Sequence, residues 1–234
     1  MKSKLRLLAA SLLASAVCGT AFAQLDNFYA EGIAGITSFK LSTGKYTNNT
    51  FTQTAPATGT TANTVTVTST DKSDTALGLR VGYHLSDVFG VEGSYIYLGS
   101  PTVSGTAQLN TPVLSASAVT WKTEMKVTKW TFGFTAKHGF SDNLSIVGRF
   151  GIGTQRAEWG KTTTTATIAP NNSSATAGKI LEDAFPAQQR KADFDYGVAL
   201  SWKVNGHVNV ALGYDYVSGA QAANLVSASL KYSF

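Results

Sequence analysis

Between Trp130 and Thr154 the chain alternates in character at every residue. Trp130, Phe132, Phe134 and Ala136 share one phase, and Leu144, Ile146, Gly148, Phe150 and Ile152 resume it after a break. The other phase carries Lys129, Thr131, Gly133, Thr135 and Lys137, then Ser145, Val147, Arg149, Gly151 and Gly153. Successive side chains of a pleated strand leave on opposite sides, so period two predicts two strands, each with one apolar face. Ser141-Asp142-Asn143 between them has turn chemistry and makes the pair a hairpin. Each strand runs about ten residues or more, the length a tilted strand needs to cross a bilayer's hydrocarbon.

Six further segments repeat this logic. Residues 28–37 set Phe28, Ala30, Gly32, Ala34 and Ile36 against Tyr29, Glu31, Ile33, Gly35 and Thr37. Residues 77–85 set Leu77, Leu79, Val81, Tyr83 and Leu85 against Gly78, Arg80, Gly82 and His84. After a turn at Ser86-Asp87, Phe89, Val91, Gly93, Tyr95 and Tyr97 oppose Gly90, Glu92, Ser94 and Ile96. In residues 194–202, Phe194, Tyr196, Val198, Leu200 and Trp202 oppose Asp195, Gly197, Ala199 and Ser201. An Asn205-Gly206 turn leads to Val208, Val210, Leu212, Tyr214 and Tyr216 against Asn209, Ala211, Gly213 and Asp215, and residues 226–234 supply the last strand. The total is eight, an even number.

The connections alternate in length. Those at Ser86, Ser141 and Asn205 are short, whereas residues 41–73, 100–122 and 160–191 are long and rich in Thr, Ser, Asn and Ala, with a shorter one at 218–223. Thr64-Val65-Thr66-Val67-Thr68 still alternates, so these stretches read either as strands prolonged beyond the bilayer or as disordered loops. Two architectures fit the pattern: a soluble sandwich with its apolar face inside, or a membrane barrel with its apolar face against lipid.

The N-terminus and the composition choose between them. Lys2, Lys4 and Arg6 precede an apolar run from Leu7 to Val17, and Ala21-Phe22-Ala23 supplies a small-x-small cleavage pattern before Gln24. This predicts a secretory signal peptide over residues 1–23 and a mature domain over residues 24–234. Cys18 falls within the leader, so the mature chain has no cysteine and no disulfide. Three of the 19 basic residues also leave with it; the 16 that remain against 14 acids give +2, too little to imply nucleic acid. No run of about twenty apolar residues follows Gln24, which excludes a helical span. Aromatic residues gather at strand ends: Phe28, Tyr83, Phe89, Phe140, Trp202 and Phe234 toward the short turns, Tyr95, Tyr97, Trp130, Phe194 and Tyr216 toward the long connections. Interfacial girdles do this and a sandwich core does not. The predicted fold is an all-β, eight-stranded antiparallel up-and-down transmembrane β-barrel, with long extracellular loops and short periplasmic turns.

Specific stretches resemble a known family. Thr135-Ala136-Lys137-His138-Gly139-Phe140, Ile146-Val147-Gly148-Arg149-Phe150-Gly151 and Arg156-Ala157 are similar to the middle hairpin of the OmpA-type transmembrane domain. Val81-Gly82-Tyr83 with Gly90-Val91-Glu92-Gly93-Ser94-Tyr95 resembles its second and third strands. Leu230-Lys231-Tyr232-Ser233-Phe234 resembles the C-terminal signal, carried by Leu230, Tyr232 and Phe234, that the outer-membrane assembly machinery reads. The resemblance implies a small barrel in the cell outer membrane of a Gram-negative bacterium, in contact with outer-membrane lipid and lipopolysaccharide. Two departures stand out. The chain stops at Phe234, which predicts that the peptidoglycan-binding domain of many relatives is missing. The family also places an interior Arg near Ala211 as partner to the Glu matching Glu92, so Glu92 needs another partner here.

Counting from the short turns puts Glu31, Arg80, Glu92, Lys137, Arg149 and Lys231 at similar depth on the inner face. This predicts an alternating ring of charges across the lumen: Lys231–Glu31, Glu31–Arg80, Arg80–Glu92 and Glu92–Lys137, with Arg149 one strand further. The bland reading of the ring is a structural core; the functional one is a gate or ion path. His84, His138 and His207 sit singly near the short-turn end without ligand spacing or a nucleophile beside them, so no metal, no cofactor and no enzyme are expected. The expected role is structural and interactive, with loops on a rigid barrel meeting a host or extracellular ligand in envelope integrity or adhesion. The rival is a narrow porin-like channel, since Gly78, Gly82, Gly90, Gly133, Gly151, Gly153, Gly197 and Gly213 leave the inner face sparsely filled.

Overall fold

The computed structural model describes residues 27–40, 50–55, 59–111, 114–160, 163–166 and 188–234. Nearly all of them are strand: β1 (Phe28–Phe39), β2 (Thr50–Ala55), β3 (Gly59–Asp71), β4 (Ser73–His84), β5 (Phe89–Gly99), β6 (Thr102–Thr111), β7 (Leu114–Gly139), β8 (Leu144–Trp159), β9 (Thr163–Ala166), β10 (Gln188–Lys203), β11 (Val208–Val217) and β12 (Ala223–Ser233). The predicted leader and its cleavage residues Ala21, Ala23 and Gln24 lie outside the described residues.

Eight strands close a barrel in the order β1, β4, β5, β7, β8, β10, β11, β12, each antiparallel to its neighbours, and β12 returns to β1. Closure leaves no open edge, the condition under which a sheet survives in hydrocarbon. Three tight turns join strands at one end, and each is tied by the residue that predicted it. Ser86 Oγ accepts from the N–H groups of Val88 and Phe89, Ser141 Oγ from that of Leu144, and Asn205 Oδ1 from those of His207 and Val208. Side-chain oxygens that satisfy nearby N–H groups make such turns independent of tertiary support.

The phase of the alternation holds in every barrel strand. Leu79, Val81, Phe132, Phe134, Ile152, Leu200, Leu212 and Val226 point outward and are exposed, while Glu31, Arg80, Thr135, Ser201 and Ser227 are buried inside. The outward aromatics do not stop at two girdles. Rows across β7, β8 and β10 place Phe132, Ile152 and Phe194 side by side, then Phe134, Phe150 and Tyr196, so one wall is aromatic through its middle as well.

The three long stretches read as either prolonged strands or loops are strand where they are described, apart from Lys72, Ser100, Pro101 and Gly160. The first half of β7 pairs with β6 and β9, β6 pairs with β3, and β3 with β2. Together they form a second sheet continuous with the barrel through β7, whose 26 residues would span about 85 Å if straight. A hydrocarbon core of about 30 Å accommodates only part of that length. A bulge between Tyr97 and Gly99 hands β7 from one partner strand to the next. There Gly99 takes φ +114°, and the Asp74 carboxylate accepts the Ser100 N–H at 2.5 Å. Only glycine adopts that angle without strain, and a bulge is where a sheet can change direction.

Candidate functional site: the filled lumen

From the turn end inward, the lumen begins with a small cavity of about 20 Å³ lined by Tyr29, His84, Lys137, Arg149 and Lys231, among others. Lys137 is exposed and forms no ion pair among the described residues. Lys231 stands opposite Glu31 in the register, yet its ammonium lies 4.8 Å over the Tyr29 ring. The expected pairs Lys231–Glu31 and Glu92–Lys137 are therefore replaced, because both carboxylates are taken by arginines. Lys137 also sits four residues nearer the turn than Gly133, the residue across from Glu92.

Above that cavity two arginines and three carboxylates interlock. Arg80 on β4 reaches Asp215 at 2.9 Å, Glu31 at 3.5 Å and Glu92 at 3.9 Å. Arg149 on β8 reaches across to Glu31 at 3.3 Å and to Glu92 at 3.6 Å, and the Tyr29 hydroxyl donates to Glu92 at 3.1 Å. Glu92 thus has Arg80 and Arg149 in place of a partner on β11, the strand of Ala211. Glu31 is 2% and Arg80 4% exposed, so both charges depend on their partners rather than on bulk water. Removing one member of such a set strands the others in a poor dielectric, a cost of about 3–5 kcal/mol. Glycines beneath the layer make room for it. A Cβ at Gly82 would overlap the Tyr29 ring, and one at Gly197 would overlap the Asp215 carboxylate. At Gly82 and Gly197 the inner face is thus covered by side chains from neighbouring strands.

Asp215 was not expected in this layer. It shares the inward phase with Ala211 and Gly213, but counting from its own turn places it higher than Arg80. Barrel strands tilt and stagger, so residues at equal count from their turns are not at equal height. The same stagger hid a second ion pair further in. Lys129 is 1% exposed; its ammonium donates to Asp195 at 2.9 Å and to the Ser218 carbonyl at 2.7 Å. Asp195 also accepts from Thr131 Oγ1 and the Ser218 N–H, and Ser218 Oγ bonds the Phe194 carbonyl. Between the two charged layers lies a cavity of about 40 Å³, room for a few waters at about 10–15 Å³ each.

Beyond Lys129 the inward face turns apolar, continuing the few apolar residues, such as Ile33 and Ile96, that the alternation placed on it. Phe39, Ile96, Leu98, Met125, Val127, Val217 and Leu225 pack into one cluster with Val103 and Trp121 of the second sheet. Leu98, Met125, Val127 and Leu225 are wholly buried. The short connection from β11 to β12 is bent down against this plug. Gln155 donates to the Gln221 carbonyl at 2.7 Å and accepts its N–H at 2.6 Å, and Gly219 takes φ +144° beside the Gln155 side chain. The lumen is filled by salt bridges in its middle and by hydrocarbon at the long-connection end.

The remaining candidates lie at the turn-end rim. The His84 ring lies tilted against Tyr29, His138 meets Phe140 edge-on, and His207 bonds the Ser233 carbonyl. No group of three or more His, Cys, Asp or Glu among the described residues could hold a metal ion. Leu230 and Tyr232 face outward, and Phe234 packs edge-on to Tyr232 at 5.2 Å with its N–H on the Phe28 carbonyl.

A closed antiparallel barrel with an apolar outer wall, an ionic centre and tight turns at one end defines a transmembrane β-barrel. Residues 9–234 match the model of the outer membrane protein beta-barrel domain, and the chain belongs to that family. Similar solved structures include Ail, the attachment invasion locus protein of Yersinia pestis, at 13% identity, covering 88% of this chain and 99% of that one, with a TM-score of 0.42. The outer membrane protein OprG from Pseudomonas aeruginosa is 13% identical over 89% of this chain and 97% of its own, with a TM-score of 0.49. The N-terminal β-barrel domain of OprF from the same organism is 11% identical over 89% and 98%, with a TM-score of 0.40. No curated protein sequence matches the chain.

Proposed function

We propose that this protein is a sealed barrel of the Gram-negative outer membrane whose work is done by what it holds outside the cell. In this reading residues 1–23 are a leader removed on export, and the Leu230, Tyr232 and Phe234 terminus is read by the outer-membrane assembly machinery. The tight turns face the periplasm and the second sheet stands on the cell surface, as the turn and loop asymmetry of outer-membrane barrels suggests. The observation that carries the reading is continuity. Trp121 and Met125, which plug the lumen, belong to β7, the strand that runs on into the second sheet. Barrel and outer sheet are therefore one rigid piece, a support for surface contacts with a host or extracellular ligand rather than a conduit. The resemblance to OmpA-type barrels suggests envelope integrity or adhesion as the broader role.

A cysteine-free mature chain makes the orientation testable. Lys72→Cys, at the foot of the second sheet, is expected to react with a membrane-impermeant maleimide on intact cells, whereas Asp142→Cys in a tight turn reacts only after lysis. The opposite pattern overturns the orientation. The channel reading has one observation in its favour: both cavities border Glu92 and Arg149, so only side chains separate them. It requires the apolar plug to open as well.

A further inference from the structure

The turn end of the lumen gathers cations that its own acids do not use. Lys231 on β12 and Lys137 on β7 stand on opposite walls, separated around the barrel by β1, β4 and β5, and both line the cavity of about 20 Å³. A third lysine, Lys203, is exposed on the inward phase of β10, and the register sets it and Lys231 on either side of Asn209. None of the three forms an ion pair among the described residues. Glu31 and Glu92 also border the cavity, but Arg80 and Arg149 hold them. The other acids described at this end, Asp87 and Asp142, lie in exposed turns.

Two ammoniums that converge on one small space from opposite walls repel each other, and a negative charge placed between them converts that repulsion into attraction. The wall also offers spare donors. Arg149 Nε is buried and makes no hydrogen bond, and Glu92 stands 3.6 Å from it, too far to accept one. Thr135 and Ser201, both carrying hydroxyls, line the same cavity. A water-sized atom needs about 10–15 Å³, so the cavity admits one acid oxygen and leaves the rest of its group at the mouth, where Lys137 is exposed. Ammoniums suit this arrangement, since a compact charge with freely turning donors accepts an oxygen from any direction.

We infer that the turn-end cavity is a binding site for one oxyanion, a phosphate or a carboxylate, held between Lys137 and Lys231 with Arg149 at its inner end. The site is independent of the sealed-barrel reading and of the barrel's orientation. The mature chain, folded in a maltoside detergent and checked by its heat-dependent gel shift, is titrated with sodium phosphate and, separately, with sodium acetate. Each replaces chloride at constant ionic strength, which separates binding from screening. Backbone amide resonances are expected to shift saturably at residues 137, 147, 149 and 231. Saturation by phosphate alone assigns the ligand to phosphates, by acetate alone to carboxylates, and by both to either acid. Lys137→Gln and Lys231→Gln should each weaken binding about tenfold, the worth of one charge-assisted hydrogen bond. Lys137→Arg should preserve it, and Lys40→Gln at the other end of the barrel should leave it unchanged. Saturation by neither anion overturns the site, as does an unchanged affinity in Lys137→Gln, whose exposed position keeps the fold intact.

Discussion

The two halves of the lumen are built on the same alternating strands and filled with opposite chemistry. On the turn side, polar and charged groups surround a cavity, and Lys137 reaches water. On the far side, Leu98, Met125, Val127 and Leu225 exclude it. Between them lie two charged layers, that of Arg80 and Arg149 toward the turns and that of Lys129 and Asp195 toward the plug. Alternation dictates which side chains enter a barrel; it does not dictate what they are made of. An eight-stranded interior is just wide enough to be filled, so either chemistry closes it. The ionic half depends on every partner being present, whereas the apolar half depends on volume. They should therefore fail differently.

The largest effect is expected at the hub. Arg80→Ala leaves Asp215 without a cation and Glu31 and Glu92 with Arg149 alone, and should cost about 3–5 kcal/mol, read from urea unfolding in lipid vesicles. Restoring a cation with Arg80→Lys should recover only part of this, because a single ammonium cannot span three carboxylates. In the apolar half, Leu98→Ala opens a cavity and should cost about 2–5 kcal/mol by the same measurement. Its cost should not depend on salt, whereas that of Arg80→Ala should change when a charge-neutralising second substitution, Asp215→Asn, is added. Gln155→Ala removes the two hydrogen bonds that hold the Gln221 N–H and carbonyl, a loss of about 1–3 kcal/mol that should appear first as faster amide exchange in residues 218–222. Lys137→Gln lies at the exposed mouth and should stay within about 0.5 kcal/mol of the unaltered protein. A large loss there would restore the ring of six charges and erase the contrast between mouth and centre.

Much of this architecture was legible in the sequence, for a physical reason. Period two is local, so each strand announced its own faces: the inward phase of Tyr29, Glu31 and Ile33 and the outward phase of Phe132 and Phe134 needed no knowledge of neighbours. Turn chemistry at Ser86, Ser141 and Asn205 is equally local. Relative height between strands is not local. Arg80 and Asp215 are 135 residues apart in the chain, and their meeting depends on the stagger set by closure. Lys129 and Asp195, each visible on the inward phase, went unpaired for the same reason. The plug was half visible, since Ile96, Leu98 and Val127 are apolar residues on the phase assigned to the polar face. What hid it was Trp121 arriving from a stretch that the sequence left open between strand and loop.

A sealed barrel requires a closed lumen, and conductance of the refolded mature chain in planar bilayers measures that directly. Barrel formation is confirmed first by its heat-dependent shift in gel mobility. The filled centre and the apolar plug together predict a baseline free of conductance steps at neutral pH. Reproducible steps that change in size or ion preference on Arg149→Ala would show a water path through the charged layer and contradict the sealed barrel.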